Sequence, residues 1–198
     1  MIGVRFSLYP MTGSFVPVIL DAVQDLDRLG LEVEVDDVST CLLGEEPQLF
    51  EALRVAFGRA ARTGTHVVMV ASFSAGCPGE PEGDVCAPRH VTLAELAQEQ
   101  GAEDWVTEAY DLPERVACQF ALYPLGIEHY MDVIYREIGV TKEAPVRSRG
   151  RHFATHLAGD GAAVFDALRT AFRNARRDVA HVVMTATISA NSPSAPTA

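Results

Sequence analysis

The sequence predicts an α+β fold in which one βαββαβ unit with an antiparallel sheet has been built twice. The clearest sign is that the stretch His66–Pro78 returns, with many identical residues, at His181–Pro193. The offset of 115 residues between the two stretches holds without a gap from Phe153 onward. Each copy also alternates short β patterns with two amphipathic helical patterns in the order β-α-β-β-α-β. This order is the ferredoxin-like plan, in which two helices cover one face of a four-stranded sheet.

Six elements are predicted in the first copy from periodicity and turn residues. Ser14 is the expected N-cap of the first helix, and Pro47 suits the start of the second. A turn around Asp36 and Asp37 makes the second and third strands a hairpin. The elements are, in order, a strand at 3–10, a helix from 14 to about 30, strands at 31–36 and 38–43, a helix at 47–63 and a strand at 66–75.

The second copy opens at Cys118 with a segment that echoes Arg5–Met11. Its first helix is predicted from an apolar stripe that begins at Tyr130, and the weakly patterned stretch 145–150 suits an edge strand. Between the copies lies a connector in which a short helix is predicted at 92–100. The expected domains are 1–79 for the first ferredoxin-like repeat, 80–116 for the connector and 117–198 for the second repeat.

Composition and charge limit the classes of partner. With 48% hydrophobic and 22% charged residues, the chain can bury a core. A net charge of −11 argues against nucleic acid and against anionic membrane surfaces. The sequence shows neither a signal-peptide pattern nor a run of about 20 apolar residues, so we expect no membrane insertion and a cytoplasmic location.

Cysteine spacing and motif content argue against a metal, a cofactor and catalysis. The four cysteines, Cys41, Cys77, Cys86 and Cys118, show no Cys-x-x-Cys spacing, so neither a zinc site nor a disulfide framework is expected. Common enzyme motifs are missing from the sequence. Cys77 is a conceivable nucleophile, but its counterpart is Ser192 and spacing assigns it no base. The expected protein is therefore a non-enzyme without a cofactor.

The sheet face that carries no helices must be covered in some way. Two apolar sheet faces can bury each other, either within one chain or in a homodimer. A ligand site is then expected at a sheet edge or in the cleft between sheet and helices. Residues that are polar or aromatic and occur in both copies are the candidates.

Three repeated pairs illustrate how function and structure compete as explanations. Tyr9 and Tyr123 each precede a proline at a strand end, where the ring can stack on a planar ligand or simply pack on a helix. Thr40 and Thr155 lie within strands, where threonine also serves β propensity alone. The third pair, the histidines that begin the repeated strands, is expected to be structural.

The Ser-Ala turns are the strongest candidates from residue type. Ser74 and Ser189 lead into the segments Gly76-Cys77 and Asn191-Ser192, which offer both donors and acceptors for a heteroaromatic amine. A plain turn is the alternative explanation. Because the turn sequences differ between the copies, two sites of unequal affinity are expected.

Four separated motifs resemble the YkoF family of proteins that bind thiamine and hydroxymethylpyrimidine (HMP). The motifs are Arg5–Met11, Ser74–Asp84, Cys118–Pro124 and Ser189–Ser194. The resemblance implies two tandem ACT-like domains, a homodimer, and recognition of thiamine or HMP through the pyrimidine ring. It further implies a role in uptake or salvage of the vitamin B1 precursor, with a functional link to an HMP or thiamine transporter.

A small aminopyrimidine binds tightly only in an enclosed slot, with stacking on an aromatic residue such as Tyr9 or Phe120 and with hydrogen bonds to its nitrogens. Two other hypotheses stay open: an ACT-like regulatory module that acts through protein contacts, and an enzyme that uses Cys77. The expected ligand-binding residues are Tyr9, Thr40, Ser74, Gly76, Cys77, Phe120, Tyr123, Thr155, Ser189, Asn191 and Ser192.

Overall fold

A computed structural model describes residues 2–24, 26–77 and 112–194. The first repeat consists of β1 (Ile2–Pro10), α1 (Phe15–Val23), a 3-10 turn (Leu26–Leu29), β2 (Glu32–Val35), β3 (Thr40–Leu43), α2 (Glu46–Ala61) and β4 (Val67–Ala75). The second consists of β5 (Val116–Leu125), α3 (Tyr130–Glu143), β6 (Arg147–Arg151), β7 (Ala154–Gly159), α4 (Gly161–Asp178) and β8 (His181–Ala190). The tandem βαββαβ fold is confirmed. The predicted connector helix and Cys86 lie outside the described residues.

Local sequence signals explain where the elements begin and turn. Helix α2 has Pro47 in its first turn, and the backbone N–H of Glu45 donates to the Gln48 side chain in a capping box. In the β2–β3 hairpin, a carboxylate oxygen of Asp36 accepts hydrogen bonds from the N–H groups of Val38 and Ser39. The first helix is shorter than the predicted one, which extended to about residue 30. In the structure α1 ends at Val23, and a separate 3-10 turn follows.

All eight strands form one antiparallel sheet with the order β2-β3-β1-β4-β8-β5-β7-β6. The repeats therefore join edge to edge through β4 and β8. Of the two ways left open for covering the helix-free faces, this arrangement excludes burial within the chain, because the two faces lie side by side in one sheet. We call this continuous helix-free surface the open face.

The central strand pair has local two-fold symmetry. Ala71 lies opposite Ala186 at its middle, and the flanking pairs Val68 with Ser189 and Ser74 with Val183 mirror each other. Equivalent residues of the two repeats thus approach the junction from opposite ends.

The core lies between the sheet and the helices and runs across the junction. Phe50 stacks on Phe73 with ring centroids 4.5 Å apart, and Phe172 of the second repeat packs against both rings. At the same junction Glu46, only 3% exposed, accepts hydrogen bonds from Arg169 at 3.1 Å and Arg176 at 2.8 Å. Apolar packing and a buried ionic cluster therefore join the two repeats into one body.

Candidate functional site

The structure divides the predicted ligand-binding residues into three groups. Alternation along the strands decides the division, because neighbouring residues of a strand point to opposite faces of a sheet. Thr40, Thr155 and Phe120 lie on the helix-covered face, Tyr9, Ser74, Tyr123 and Ser189 lie on the open face, and Gly76, Cys77, Asn191 and Ser192 lie in the turns that follow β4 and β8.

On the helix-covered face, each threonine lies directly opposite a phenylalanine of the neighbouring strand. Thr40 pairs with Phe6 and Thr155 pairs with Phe120. The threonines are 8% and 4% exposed, and both rings are almost fully buried. Phe6 was not among the predicted residues, although the echo between Arg5–Met11 and the segment around Phe120 would have identified it.

The hydroxyl groups of Thr40 and Thr155 are free to meet a ligand. Within the described ranges, neither hydroxyl makes a hydrogen bond to a protein group. Among the described residues, the fully buried side-chain nitrogen and oxygen atoms that lack a hydrogen-bond partner are His156 Nδ1 and Arg173 Nε. The threonine hydroxyls are not in this set, so each of them keeps some contact with solvent. A nearly buried hydroxyl without a protein partner can both donate to and accept from a small polar molecule.

The helices over this face begin with exposed aromatic rings at equivalent positions. Phe15 is the first residue of α1 and is 50% exposed, and Tyr130 is the first residue of α3 and is 48% exposed. The predicted helical stripes therefore start at half-exposed side chains. Because Phe120 is only 3% exposed, its ring forms part of the core and presents no free face for stacking.

We call the pair of Thr40 and Phe6 the first threonine site. Thr155 and Phe120 form the second threonine site in the same way. Each site combines a hydroxyl that can bond a ring nitrogen or an amine with an apolar wall. This combination of groups can bind a small heteroaromatic molecule.

On the open face, each tyrosine lies on the same cross-strand row as a serine of the other repeat. The two rows are Tyr9, Val68, Ser189 and Ala117, and Tyr123, Val183, Ser74 and Gly3. They lie about 20 Å apart, the length of six residues along a strand. His66 Nε2 lies 3.0 Å from the hydroxyl oxygen of Ser189, consistent with the structural role expected of His66.

The two turns after the central strands fasten each repeat to the other. Gly76 has φ +73°, and a side chain there would overlap the carbonyl group of Ala180. Its counterpart Asn191 has φ +55° and donates through its side-chain amide to the carbonyl oxygens of Ala61 at 2.8 Å and Thr65 at 3.0 Å. Both amide hydrogens of Asn191 are therefore used inside the protein. The other two predicted turn residues, Cys77 and Ser192, are half-buried.

The outer edges of the open face carry opposite charge. On β2 and the turn after it, Glu34 lies 3.9 Å and Asp36 2.8 Å from Arg5. Hydrogen bonds from the N–H groups of Ser39 and Val38, and then Arg5, lower the pKa of Asp36. On the opposite edge, β6 contributes three arginines. They add to the effect of burial, which is the main cause of the lowered pKa of neighbouring His156.

Comparison with known proteins assigns the family. The family model described as the YKOF-related family matches residues 1–80 and 115–195. The chain belongs to this family. A relative from Bacillus subtilis (strain 168), named "Putative HMP/thiamine-binding protein YkoF", is 37% identical over 192 residues, which cover 97% of this chain and 91% of that protein. The predicted resemblance to the YkoF family is confirmed.

Two solved structures resemble parts of this YkoF-family chain. Protein MJ1052 from Methanocaldococcus jannascii is 22% identical, with a TM-score of 0.40, and the match covers 43% of this chain and 89% of that one. A domain of unknown function, DUF77, from Bacillus cereus is 20% identical, with a TM-score of 0.38, and the match covers 43% of this chain and 83% of that one. Among the described helices, none has the length and apolar character needed to cross a membrane.

Proposed function

We propose that this protein binds HMP or thiamine without catalysing a reaction and serves the uptake or salvage of the vitamin B1 precursor. The observation that carries the proposal is the 37% identity, over 97% of the chain, to a relative named as an HMP/thiamine-binding protein. The proposal includes a cytoplasmic location and a functional link to a transporter of either compound. The threonine sites support it, because each offers a hydroxyl beside an apolar wall for recognition of a small heteroaromatic ring.

We place the pyrimidine ring at the threonine sites. An aminopyrimidine has few atoms, and small ligands gain at most about 1.5 kcal/mol per heavy atom, so useful affinity requires contact on most sides. The helix-covered face meets this need better than the open face, because Thr40 and Thr155 are nearly buried while Tyr9 and Tyr123 are about half exposed. Thiamine's charged ring would then extend toward solvent.

Calorimetric titration with thiamine and, separately, with HMP tests both parts of the proposal. We expect two binding sites per chain and similar heats for the two compounds. Thr40→Val and Thr155→Val each remove one hydroxyl while keeping the branched shape, so each should remove one of the two sites, and the double variant should not bind. Thr170→Val, at a half-buried position of α4 outside the sheet, is the matched control and should bind as the wild type does.

The outcomes separate the function from the site. If the wild type binds neither compound at millimolar concentration, the proposed function is wrong. If the wild type binds and the double variant binds equally well, the function stands and the threonine sites are wrong. Recovery of both compounds unchanged after incubation, with binding retained by Cys77→Ser, would support the absence of catalysis, whereas a new product would contradict it.

We also propose that the protein is a homodimer in which the open faces of two copies cover each other. The face presents Val70, 43% exposed, together with the two half-exposed tyrosines, and sheets with such faces commonly pack in pairs. Light scattering coupled to size-exclusion chromatography should give the mass of two chains. A single-chain mass at all concentrations would contradict this part.

An action through protein contacts is the second candidate function, and one observation favours it. The outer side of α1 exposes Phe15, Val16 and Leu20 by 50%, 51% and 63%, and this side is separate from the open face. The equivalent positions on α3 are Tyr130, Met131 and Tyr135, which are also exposed. Failure of both ligands to bind, combined with capture of a specific protein partner that Leu20→Glu abolishes, would favour this function over the first.

A further inference from the structure

Strand β6 is an outer edge of the sheet and has a neighbouring strand, β7, on one side only. Arg151 and Ala154 flank the two-residue turn between β6 and β7, so they form a hydrogen-bonded pair, and such pairs alternate along an antiparallel ladder. The backbone N–H and C=O groups of Ser148 and Gly150 therefore point away from β7, in the plane of the sheet. Among the described residues, no backbone group bonds to them.

The residues at these two outward positions leave room for another backbone. Ser148 is small and Gly150 has no side chain. A Cβ added at Gly150 would have no atom within 4 Å, and the φ of Gly150 lies outside the left-handed region, so neither packing nor backbone conformation requires glycine there. A glycine inside a strand often marks a place where another backbone approaches closely. The equivalent positions on the opposite outer strand, β2, hold Val33 and Val35.

The other residues of β6 are Arg147, Arg149 and Arg151, and we call this strand the basic edge. The hydroxyl oxygen of Ser148 lies 2.9 Å from that of Thr141 on α3, so Ser148 faces the helices and the three arginines face the other side of the sheet. Within the described chain, none of the three forms an ion pair. Adjacent cations without a counter-ion favour an acidic partner.

An extended segment fits the free backbone groups and the arginines together. If it lies antiparallel to β6, as in every strand pair of the sheet, it exchanges hydrogen bonds with Ser148 and Gly150. The arginines then occupy the positions in between, where opposed Cα atoms are only about 4.5 Å apart and side chains are closest. Successive arginines are about 6.8 Å apart, which is the spacing of alternate residues of a strand. Carboxylates at alternate positions of the segment therefore meet one arginine each.

The turn at the end of the basic edge adds an apolar group to this surface. Phe153 is 98% exposed and has φ +67°, a left-handed conformation that is unfavourable for a residue with a large side chain. Aromatic rings and arginines are the residues enriched at protein interfaces. The equivalent residue Val38 is also exposed, but it follows Asp36 and Asp37. Only the second repeat therefore combines an exposed apolar turn with positive charge.

We propose that the basic edge binds an extended acidic segment of a partner protein, which adds one strand to the sheet. Carboxylates at alternate positions of the segment pair with the three arginines, and an apolar residue at its amino-terminal end contacts Phe153. A homodimer formed through the open faces leaves this site free, because Ser148 and Gly150 direct their backbone groups along the plane of the sheet. The site is also separate from the threonine sites, so it does not depend on the binding of HMP or thiamine.

Two other occupants carry negative charge but fit the basic edge less well. Strand β2 of a second copy carries Glu32 and Glu34, but its pairing with β6 does not close and would build an open filament. An anionic membrane surface attracts the arginines, but it repels a chain of net charge −11 and leaves the outward backbone groups without strand partners. A discrete acidic segment meets neither objection.

Fluorescence anisotropy with labelled synthetic peptides tests the proposal on the full chain. The probe Leu-Thr-Glu-Thr-Glu-Thr-Glu has glutamates at alternate positions, and the control Leu-Glu-Glu-Glu-Thr-Thr-Thr has the same composition with consecutive glutamates. The probe should bind about tenfold more tightly than the control. Arg149→Glu places like charges opposite each other and should weaken probe binding about tenfold. Arg177→Glu makes the same charge change at an exposed position of α4 and should leave binding unchanged.

Proline variants test the backbone pairing. Gly150→Pro removes an outward N–H without removing a bond to β7, so the strand should form while probe binding is lost. Val35→Pro makes the same change at the equivalent, exposed position of β2 and should leave probe binding unchanged. Equal melting temperatures of the two variants would show that the loss is local. If Gly150→Pro does not fold, the two peptides and Arg149→Glu still decide.

The outcomes separate this proposal from the alternatives and from the proposed function. Equal binding of the two peptides, or no binding of the probe at millimolar concentration, overturns the proposal. Sedimentation with phosphatidylglycerol vesicles that Arg149→Glu abolishes, without peptide binding, assigns the basic edge to a lipid surface. Filaments that Val35→Pro abolishes assign it to a second copy. The binding of HMP and thiamine is judged independently by calorimetry.

Discussion

The two repeats tie their helices together differently at equivalent positions. In the first repeat, Arg59 of α2 donates to the carbonyl oxygens of Asp21 and Gln24 at the end of α1. In the second repeat, the equivalent residue is Asn174, which donates at 3.2 Å to the buried carboxylate of Glu137 on α3.

The lengths of the two helices differ accordingly. Arg59 meets backbone carbonyls at the point where α1 ends, after 9 residues, while α3 continues for 14 residues. The helix whose backbone carbonyls accept from this donor ends there, whereas the helix that accepts through the Glu137 side chain continues. Both helix lengths are compatible with the βαββαβ fold, because the sheet and the apolar core are common to the two repeats.

The largest expected difference between the repeats concerns Glu46, whose equivalent in the second repeat is Gly161. Glu46→Ala should lower the free energy of unfolding by about 3 to 5 kcal/mol, because Arg169 and Arg176 would lose their buried partner. Asp166→Ala is the control, since Asp166 also contacts the other repeat through Arg54 at 3.7 Å but its side chain is 67% exposed. It should cost below about 1 kcal/mol in urea titrations. Equal losses would contradict the role of the buried cluster.

The next effect concerns the turns that fasten the repeats. Gly76→Ala should cost about 2 to 4 kcal/mol, since the added carbon meets the Ala180 carbonyl at a left-handed φ. Asn191→Gly keeps that backbone freedom and loses two hydrogen bonds, for about 1 to 2 kcal/mol. Gly126→Ala, at φ +79° with no atom within 4 Å of the new carbon, isolates the backbone strain. If thermal unfolding shows equal losses of stability for Gly126→Ala and Gly76→Ala, the overlap with the Ala180 carbonyl group contributes nothing to that loss.

A smaller loss of stability should follow from replacing the side chains that link the two helices of each repeat, Arg59 and Asn174. Arg59→Met keeps the apolar stem and removes the donors to α1, for an expected loss of about 2 kcal/mol and faster amide hydrogen exchange at the end of α1. Asn174→Leu should cost about 1 kcal/mol, because Arg136 still contacts Glu137 at 2.7 Å. If hydrogen exchange in α1 does not change in Arg59→Met, Arg59 does not set the end of that helix.

The smallest effect is a dependence on pH at the basic edge. Burial first, and then Arg151, Arg149 and Arg147, lower the pKa of His156 below its ordinary value of 6.5. A depressed pKa means that the unfolded chain takes up the proton more readily, so stability should fall as the pH drops below about 6.5. His156→Gln should flatten the melting temperature between pH 7 and pH 5 relative to the wild type. An unchanged slope would assign that dependence to other groups.

Much of the fold could be predicted because duplication and alternation are local signals. The repeat gave the equivalence of Thr40 with Thr155, and alternation within 3–10 separated Phe6 from Tyr9. The division of the candidate site between two faces could not be predicted, because it depends on which residue of β3 pairs with which residue of β1. Contacts such as Glu46 with Arg176, 130 residues apart, leave no local trace. Periodicity also does not indicate which edge strands of the two repeats pair, so the pairing of β4 with β8 could not be predicted.

The local two-fold symmetry of the central strand pair also bears on how such a chain can diverge. In an assembly of identical single repeats, every outer edge strand would have the same sequence and therefore the same charge. A duplicated gene removes that restriction, because each half accumulates its own substitutions while the chain still folds as one symmetric sheet. Here one outer edge reads Glu-Val-Glu-Val-Asp and the other reads Arg-Ser-Arg-Gly-Arg. Duplication has thus given a polarity to a sheet that its symmetry would otherwise make identical at both ends.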